Sequence, residues 1–176
     1  MEHDEELEAL KLALKTEQDG RAMYLDAAAR VRNPLAKSTM STLAEEELVH
    51  IKLIEDFYTD LKAGGVGVLS EQLRKAAGYD LRRQTIFEAA RGRMEATVVS
   101  DPDVFLAYKA AIKFEEDGAR MYKDFSEKTG NETARRMYVF LNQQENEHYR
   151  ILAETLNYLE NPREWFLEQE KPHFEA

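Results

Sequence analysis

The chain contains no cysteine. Disulfides, thiolate zinc sites, iron–sulfur clusters and a rubredoxin-type iron site are therefore excluded, and any bound metal must be held by oxygen and nitrogen. Only 4 prolines and 8 glycines interrupt 176 residues, which leaves room for long helices. No apolar run approaches the roughly 20 residues of a membrane-spanning helix, so no membrane association is expected. Basic residues are outnumbered, 24 Lys and Arg against 34 Asp and Glu, giving a net charge of −10. A nucleic-acid partner, whose phosphates demand clustered Lys and Arg, is not expected either. The start of the chain, Met1-Glu2-His3-Asp4-Glu5-Glu6, lacks the basic and apolar regions of a secretion signal, and a cytoplasmic location is the expectation.

What is present is a helix-forming composition, 43% hydrophobic and 33% charged, in a chain long enough for one domain with a real core. Four long helices are predicted. The first runs from about Asp4 to Arg30, with Leu7, Leu10, Leu14, Glu17, Tyr24, Ala28 and Val31 near helical spacing. Asn33-Pro34 ends it and opens the second, which runs to about Ala63 before Gly64-Gly65. The seam of the second helix is Met40, Leu43, Glu47, His50, Ile54, Phe57, Leu61, stepping alternately by 3 and 4 residues as a bundle helix does. The third helix, from about Asp103 to Lys128, carries Phe105, Tyr108, Ile112, Glu115, Tyr122 and Phe125 on its inner face. The fourth, from about Glu132 to Leu159, has the seam Tyr138, Leu141, Glu145, His148, Leu152, Thr155, Leu159, with the same steps as the second. Residues 64–102 read as a long crossover containing short helices near 70–77 and 83–99. The tail, 163–176, includes Trp165, Phe166, Leu167 and Phe174, and is expected to pack on the bundle or on a second subunit. The bundle as a whole takes in residues 1–162. His3 and His173 are expected in solvent.

The second half repeats the first at an offset of 98. Glu17, Glu47 and His50 recur as Glu115, Glu145 and His148, and Lys15, Asp19, Gly20, Met23, Tyr24 and Asn33 as Lys113, Asp117, Gly118, Met121, Tyr122 and Asn131. This pattern predicts a duplicated helical hairpin with pseudo-twofold symmetry. A single Glu-x-x-His on a helix is ordinarily a solvated surface pair. Here two copies lie on apolar seams together with two further seam carboxylates. Ionised carboxylates in a core cost several kcal/mol each unless compensated, and neither seam offers a Lys or Arg. Two divalent cations balance four carboxylates, and neutral imidazoles add no charge. Glu17, Glu47, His50, Glu115, Glu145 and His148 are therefore expected to ligate two metal ions, iron first, manganese or a mixed pair second, with zinc or cobalt possible. One Glu from each of two helices plus Glu-x-x-His from the other two is the arrangement of ferritin-like di-iron proteins. The roles that go with it make Glu47 and Glu145 bridging and Glu17 and Glu115 terminal, with one imidazole on each metal.

Tyr24 and Tyr122 follow the terminal glutamates by about two turns, and their hydroxyls are expected to hydrogen-bond a ligand carboxylate across the bundle. An ordinary core aromatic is the competing reading. Gly20 and Gly118 cost about 1 kcal/mol each relative to Ala inside a helix. They imply needed space, either a small-molecule pocket beside the metals or a close helix contact. Asp19 and Asp117 point away from the seams and read as salt-bridge partners.

These residues, with the phrase Ile112-Lys113-Phe114-Glu115-Glu116-Asp117-Gly118 and Glu145-Asn146-Glu147-His148, resemble the rubrerythrin branch of the ferritin-like superfamily over about residues 5–160. The resemblance implies an all-α ferritin-like four-helix bundle and a non-haem di-iron centre that reduces hydrogen peroxide, with O₂ reactivity and iron oxidation as related activities. The rubredoxin domain of full-length rubrerythrins has no counterpart here, so electrons are expected from a separate donor protein. Those rubrerythrins also carry an additional glutamate one turn after the third-helix ligand, where this chain has Gly118. Peroxidase, Fe(II) binding or oxidation, and a di-iron oxygenase are the three readings that follow, in that order. A homodimer or small homo-oligomer is expected.

Overall fold

The computed structural model describes residues 3–65 and 102–162. Among them are four helices: α1 His3–Arg30, α2 Pro34–Lys62, α3 Pro102–Lys128 and α4 Glu132–Glu160. There is no strand among the described residues, and the fold is an all-α four-helix bundle. The short crossover helices expected near 70–77 and 83–99, the apolar tail and His173 lie outside the described residues. The side chain of His3 does as well.

The two hairpins turn on equivalent asparagines. Asn33 accepts from the Ala36 amide at 3.0 Å, with Pro34 opening α2. Asn131 accepts from the Thr133 and Ala134 amides at 2.9 and 3.1 Å at the start of α4. Each side chain satisfies amides that the first helical turn leaves without a partner. Gly64, at φ 81, takes the left-handed backbone that follows α2.

Helix α1 packs mainly on α2 and α3 mainly on α4, with fewer contacts between the two hairpins. The core is two apolar layers. One joins the C-terminal part of α1 (Tyr24, Ala28), the start of α2 (Met40, Leu43), the start of α3 (Val104, Tyr108) and the end of α4 (Leu152). The other joins the start of α1 (Leu10, Ala13), the end of α2 (Ile54, Phe57), the end of α3 (Tyr122) and the start of α4 (Tyr138, Leu141). Helix α2 therefore finishes at the end of the bundle opposite to that at which α3 begins.

The seams of α2 and α4 are buried as expected, apart from Leu159, which is half-buried. The lines expected for α1 and α3 are buried in part: Leu10, Glu17, Tyr24, Ala28, Val31, Tyr108, Glu115 and Tyr122 are buried. Leu7, Leu14, Phe105, Ile112 and Phe125 are only half-buried, while Glu6, Ala13, Val104 and Ala111 are buried in full. Alanines at the contact allow the paired helices to approach closely, and the larger side chains flank them.

The layers depart from the repeat in their polar groups. At one end the buried Glu6 carboxylate accepts from Tyr138 at 2.6 Å and from Thr129 at 2.5 Å. The 98-residue counterparts of Glu6, Thr129 and Tyr138 are Val104, Val31 and Met40. At the other end the buried Tyr108 hydroxyl lies beside Thr39 and Thr155, whose own hydroxyls donate to the Leu35 and Ile151 carbonyls. Tyr108, Thr39 and Thr155 correspond to Leu10, Met137 and Phe57. No helix among the described residues is long and apolar enough to cross a membrane.

Candidate metal centre

Between the two apolar layers the six polar seam residues converge. Glu17, Glu47, His50, Glu115, Glu145 and His148 are each 3% exposed or less. Their donor atoms form two groups, Glu17, Glu47, His50, Glu145 and Glu47, Glu115, Glu145, His148, and within each group all atoms lie within 4.8 Å of one another. Glu47 and Glu145 belong to both. Helical geometry accounts for the convergence: the three-residue step from each shared glutamate to its histidine puts both side chains on one face of α2 or α4. Glu17 of α1 and Glu115 of α3 close the two ends.

The imidazoles stack across the centre, with ring centroids 5.4 Å apart and planes at 18°. His50 Nδ1 lies 3.1 Å from Glu17, 3.2 Å from Glu47 and 3.6 Å from Glu145. His148 Nδ1 lies 3.4 Å from Glu47, 3.6 Å from Glu115 and 3.8 Å from Glu145. His148 Nε2, on the outer side, donates to Glu46 at 3.0 Å. Tyr24 donates to Glu115 Oε1 and Tyr122 to Glu17 Oε1, each across to the other hairpin. The hydroxyls thus stand where the sequence placed them. Asp19 and Asp117 pair with Lys15 and Lys113 at 2.5 Å on the surface, also as expected.

Burial drives every carboxyl in the cluster upward, and its neighbours decide which remain ionised. On Glu17 burial is outweighed by hydrogen bonds from Glu47, His50 and Tyr122 and by the charge of His50, which hold the group at about 2. Glu115 is lowered in the same way: burial is outweighed by a hydrogen bond from Glu145 and by His148. Glu47 is pushed up to about 8 by burial and by the charge of Glu17. Glu145 is raised well above the carboxylate range by burial and by Glu115, Glu17 and Glu47. Burial lowers both imidazoles, but Glu17 and Glu47 raise His50 to about 9, and Glu115, Glu46 and Glu47 raise His148 strongly. In the metal-free cluster Glu17 and Glu115 are thus favoured as carboxylates, while Glu47, Glu145 and the two imidazoles are favoured in their protonated forms. Two divalent cations would balance the charge of all four carboxylates beside neutral imidazoles. Burial and the adjacent carboxylates keep Tyr24 and Tyr122 protonated, as donors.

Several groups in the cluster are unfulfilled without a cation. Glu47 Oε1, Glu115 Oε2, Glu145 Oε1 and His148 Nδ1 are buried and make no hydrogen bond, a costly state for polar atoms in a core. All four belong to the second group, and all four are donors that a divalent first-row ion accepts. The residues fit a metal.

The two glycines have different reasons for being there. A Cβ on Gly20 would meet the Phe114 ring at 2.8 Å, so α1 needs glycine for close contact with α3. A Cβ on Gly118 would meet only Glu145, at 3.6 Å, which is an ordinary contact. A cavity of about 330 Å³ is lined by Glu115, Glu116, Ala119 and Arg120 of α3 and Asn146 and Tyr149 of α4. Sequence reasoning missed this lining and Glu46. Position 46 carried a signal, since it directly precedes Glu47 while its counterpart Gln144 breaks the repeat.

A family model described as Rubrerythrin matches residues 8–101, more than half of the chain. No curated protein and no solved structure gave a match. The matched stretch holds α1, α2 and three of the six clustered residues, and α3 and α4 supply the other three at the 98-residue repeat. With a metal-fitting carboxylate and imidazole cluster buried in a four-helix bundle, the chain belongs to the rubrerythrin family.

Proposed function

We propose that this protein is a non-haem di-iron oxidoreductase that reduces hydrogen peroxide to water with electrons from a separate donor. The observation that carries this reading is the pair of four-residue groups sharing Glu47 and Glu145 inside an apolar core. Family membership favours iron, and a donor set of carboxylates and imidazoles suits it. A ferrous pair held there would provide the two electrons that hydrogen peroxide, with two protons, needs to become two waters.

The rest is done by the chain's own residues. Glu47 and Glu145, common to both groups, would be shared by the two ions, with Glu17 and His50 holding one and Glu115 and His148 the other. Tyr24 and Tyr122 hold one oxygen of Glu115 and of Glu17 by hydrogen bonds, which leaves the second oxygen of each turned toward the centre. The flanking apolar layers keep bulk water from the centre and strengthen electrostatic interactions inside it. The cavity at Glu115 is of a size to admit a small oxidant such as hydrogen peroxide or O₂ and offers Arg120 and Asn146 as polar contacts.

A second reading, Fe(II) capture and oxidation, is favoured by one feature. Two carboxylates, Glu115 and Glu116, line that same cavity and would attract a cation. Anaerobic titration of the reduced, iron-loaded protein with peroxide separates the two. The peroxidase reading expects fast oxidation at one peroxide per two irons, with the iron retained and the cycle repeated when a reductant is added. Slow or non-stoichiometric oxidation would overturn it, and oxidation followed by loss or accumulation of iron would favour the second reading.

A further inference from the structure

Symmetry at the centre fails at one pair of positions. Glu46 and Gln144 are equivalent in the repeat, 46 + 98 = 144, and each directly precedes a shared glutamate. Glu46 reaches from α2 to His148 on α4, where its carboxylate accepts from Nε2 at 3.0 Å. The Glu46 side chain is only 12% exposed, so this ion pair is shielded from solvent. Gln144 is an uncharged amide. His50 instead packs edge-on against the Phe140 ring, with centroids 6.4 Å apart, and the counterpart of Phe140 is Thr42. One imidazole is backed by a carboxylate, whereas the other has an aromatic neighbour and an amide at the equivalent position.

Two consequences follow for a cation. A carboxylate accepting from Nε2–H fixes the tautomer with its Nδ1 lone pair toward Glu47, Glu115 and Glu145, and makes that nitrogen a stronger donor. It also adds a negative charge on one side of the centre only. A neutral amide provides a hydrogen bond about half as strong and no charge.

We infer that the two metal positions are unequal. Glu46 is a positioning residue that makes the Glu47, Glu115, Glu145, His148 group the tighter one, filled first, and the Glu17, Glu47, His50, Glu145 group the weaker one, filled second. This rests on the reading of the cluster as a two-metal centre.

The test is titration of the metal-free, full-length protein with Co(II), followed by calorimetry, visible absorption and paramagnetic proton NMR of the histidine rings. Wild type is expected to bind two ions in steps at least tenfold apart, with the first ion shifting the His148 ring resonances before those of His50. Repulsion between two cations alone can also separate the steps, so the variants decide. E46Q is expected to weaken the first step by about 10–100-fold, as loss of such a partner does, and to leave the second within about threefold. Q144E is expected to tighten the second step and narrow the gap. If His50 responds first, or if both variants leave both steps within twofold of wild type, the inference is overturned. Should E46Q not fold, Q144E decides alone: a tightened second step supports the inequality and an unchanged one overturns it. A wild type that binds no Co(II) sinks the two-metal reading itself, a different result from two equal steps.

Discussion

Tyr24 and Tyr122 show how much a single hydroxyl does here. Each donates to a buried, ionised glutamate that has few other partners. Tyr24→Phe and Tyr122→Phe remove that donor with little change in shape. Each is expected to lower the stability of the metal-free protein by about 1–3 kcal/mol, the cost of a buried acceptor left unpaired, as read from urea midpoints with a chelator present. The protonation of the cluster leads to a second prediction. Glu47 rises from its usual 4.5 to about 8 and His50 from 6.5 to about 9 on folding. Between those limits the folded form binds more protons than the unfolded one, so stability from these groups is present at low pH and lost as pH rises through them. Glu17, lowered to about 2, acts in the opposite sense but only in acid. The metal-free protein should therefore be less stable at pH 9 than at pH 6. Metal should reverse the trend, because ligation releases those same protons. Urea melts at the two pH values, with and without Fe(II), check this, and a metal-free midpoint that is higher at pH 9 would contradict it.

At the scale of the helices, the seams of α2 and α4 are legible in the sequence because large apolar residues and candidate ligands alternate there at steps of 3 and 4. Those of α1 and α3 are legible in part: Leu10, Glu17, Tyr24, Tyr108, Glu115 and Tyr122 are buried as the spacing suggests, while other positions slip to a neighbour. Large apolar residues draw that line toward 7, 14, 105 and 112, whereas Ala13 and Glu6, four and eleven residues before Glu17, and Val104 and Ala111 are the ones buried. Size misleads where helices pack close, since the residue at the contact is then the small one. The glycines carry the same lesson. Gly20 and Gly118 are indistinguishable by spacing, and only the packing shows the Phe114 ring hard against the first and the Glu145 side chain at ordinary contact distance from the second. Gly118→Ala is expected to stabilise the protein by up to about 1 kcal/mol through helix propensity. Gly20→Ala gains the same propensity but must displace the Phe114 ring, at about 1–3 kcal/mol. Thermal and urea unfolding of the two variants should show Gly118→Ala the more stable by about 1–3 kcal/mol, and equal stabilities would count against the packing described.

For the whole molecule, the 98-residue offset makes the duplicated hairpin and all six clustered residues readable from the amino-acid sequence alone. It does not show where the halves differ in space, because a broken repeat acquires meaning only when the partners are seen together. Glu6, Thr129 and Tyr138 are scattered in sequence and meet at one end of the bundle, while Glu46 meets His148 at its centre. Since all four helices contribute to the cluster, metal should stabilise the molecule as one unit. Binding at a thousand times the dissociation constant adds about 4 kcal/mol per site, which for a chain of this size corresponds to a rise in melting temperature on the order of 10 °C per site. Differential scanning calorimetry of metal-free and iron-loaded protein should show that rise in a single transition. Two separate transitions would mean that the hairpins unfold independently.

The reciprocal tyrosines also bear on ancestry. Tyr24 of the first hairpin holds a glutamate of the second, and Tyr122 of the second holds a glutamate of the first. A lone hairpin of this design has neither a full ligand set nor the hydroxyl that its own terminal glutamate requires. Any single-hairpin forerunner could have worked only as a pair of copies, and its occupancy would have fallen with dilution. Joining two hairpins in one chain frees their association from concentration and lets the halves differ, as they do at Glu46 and Gln144.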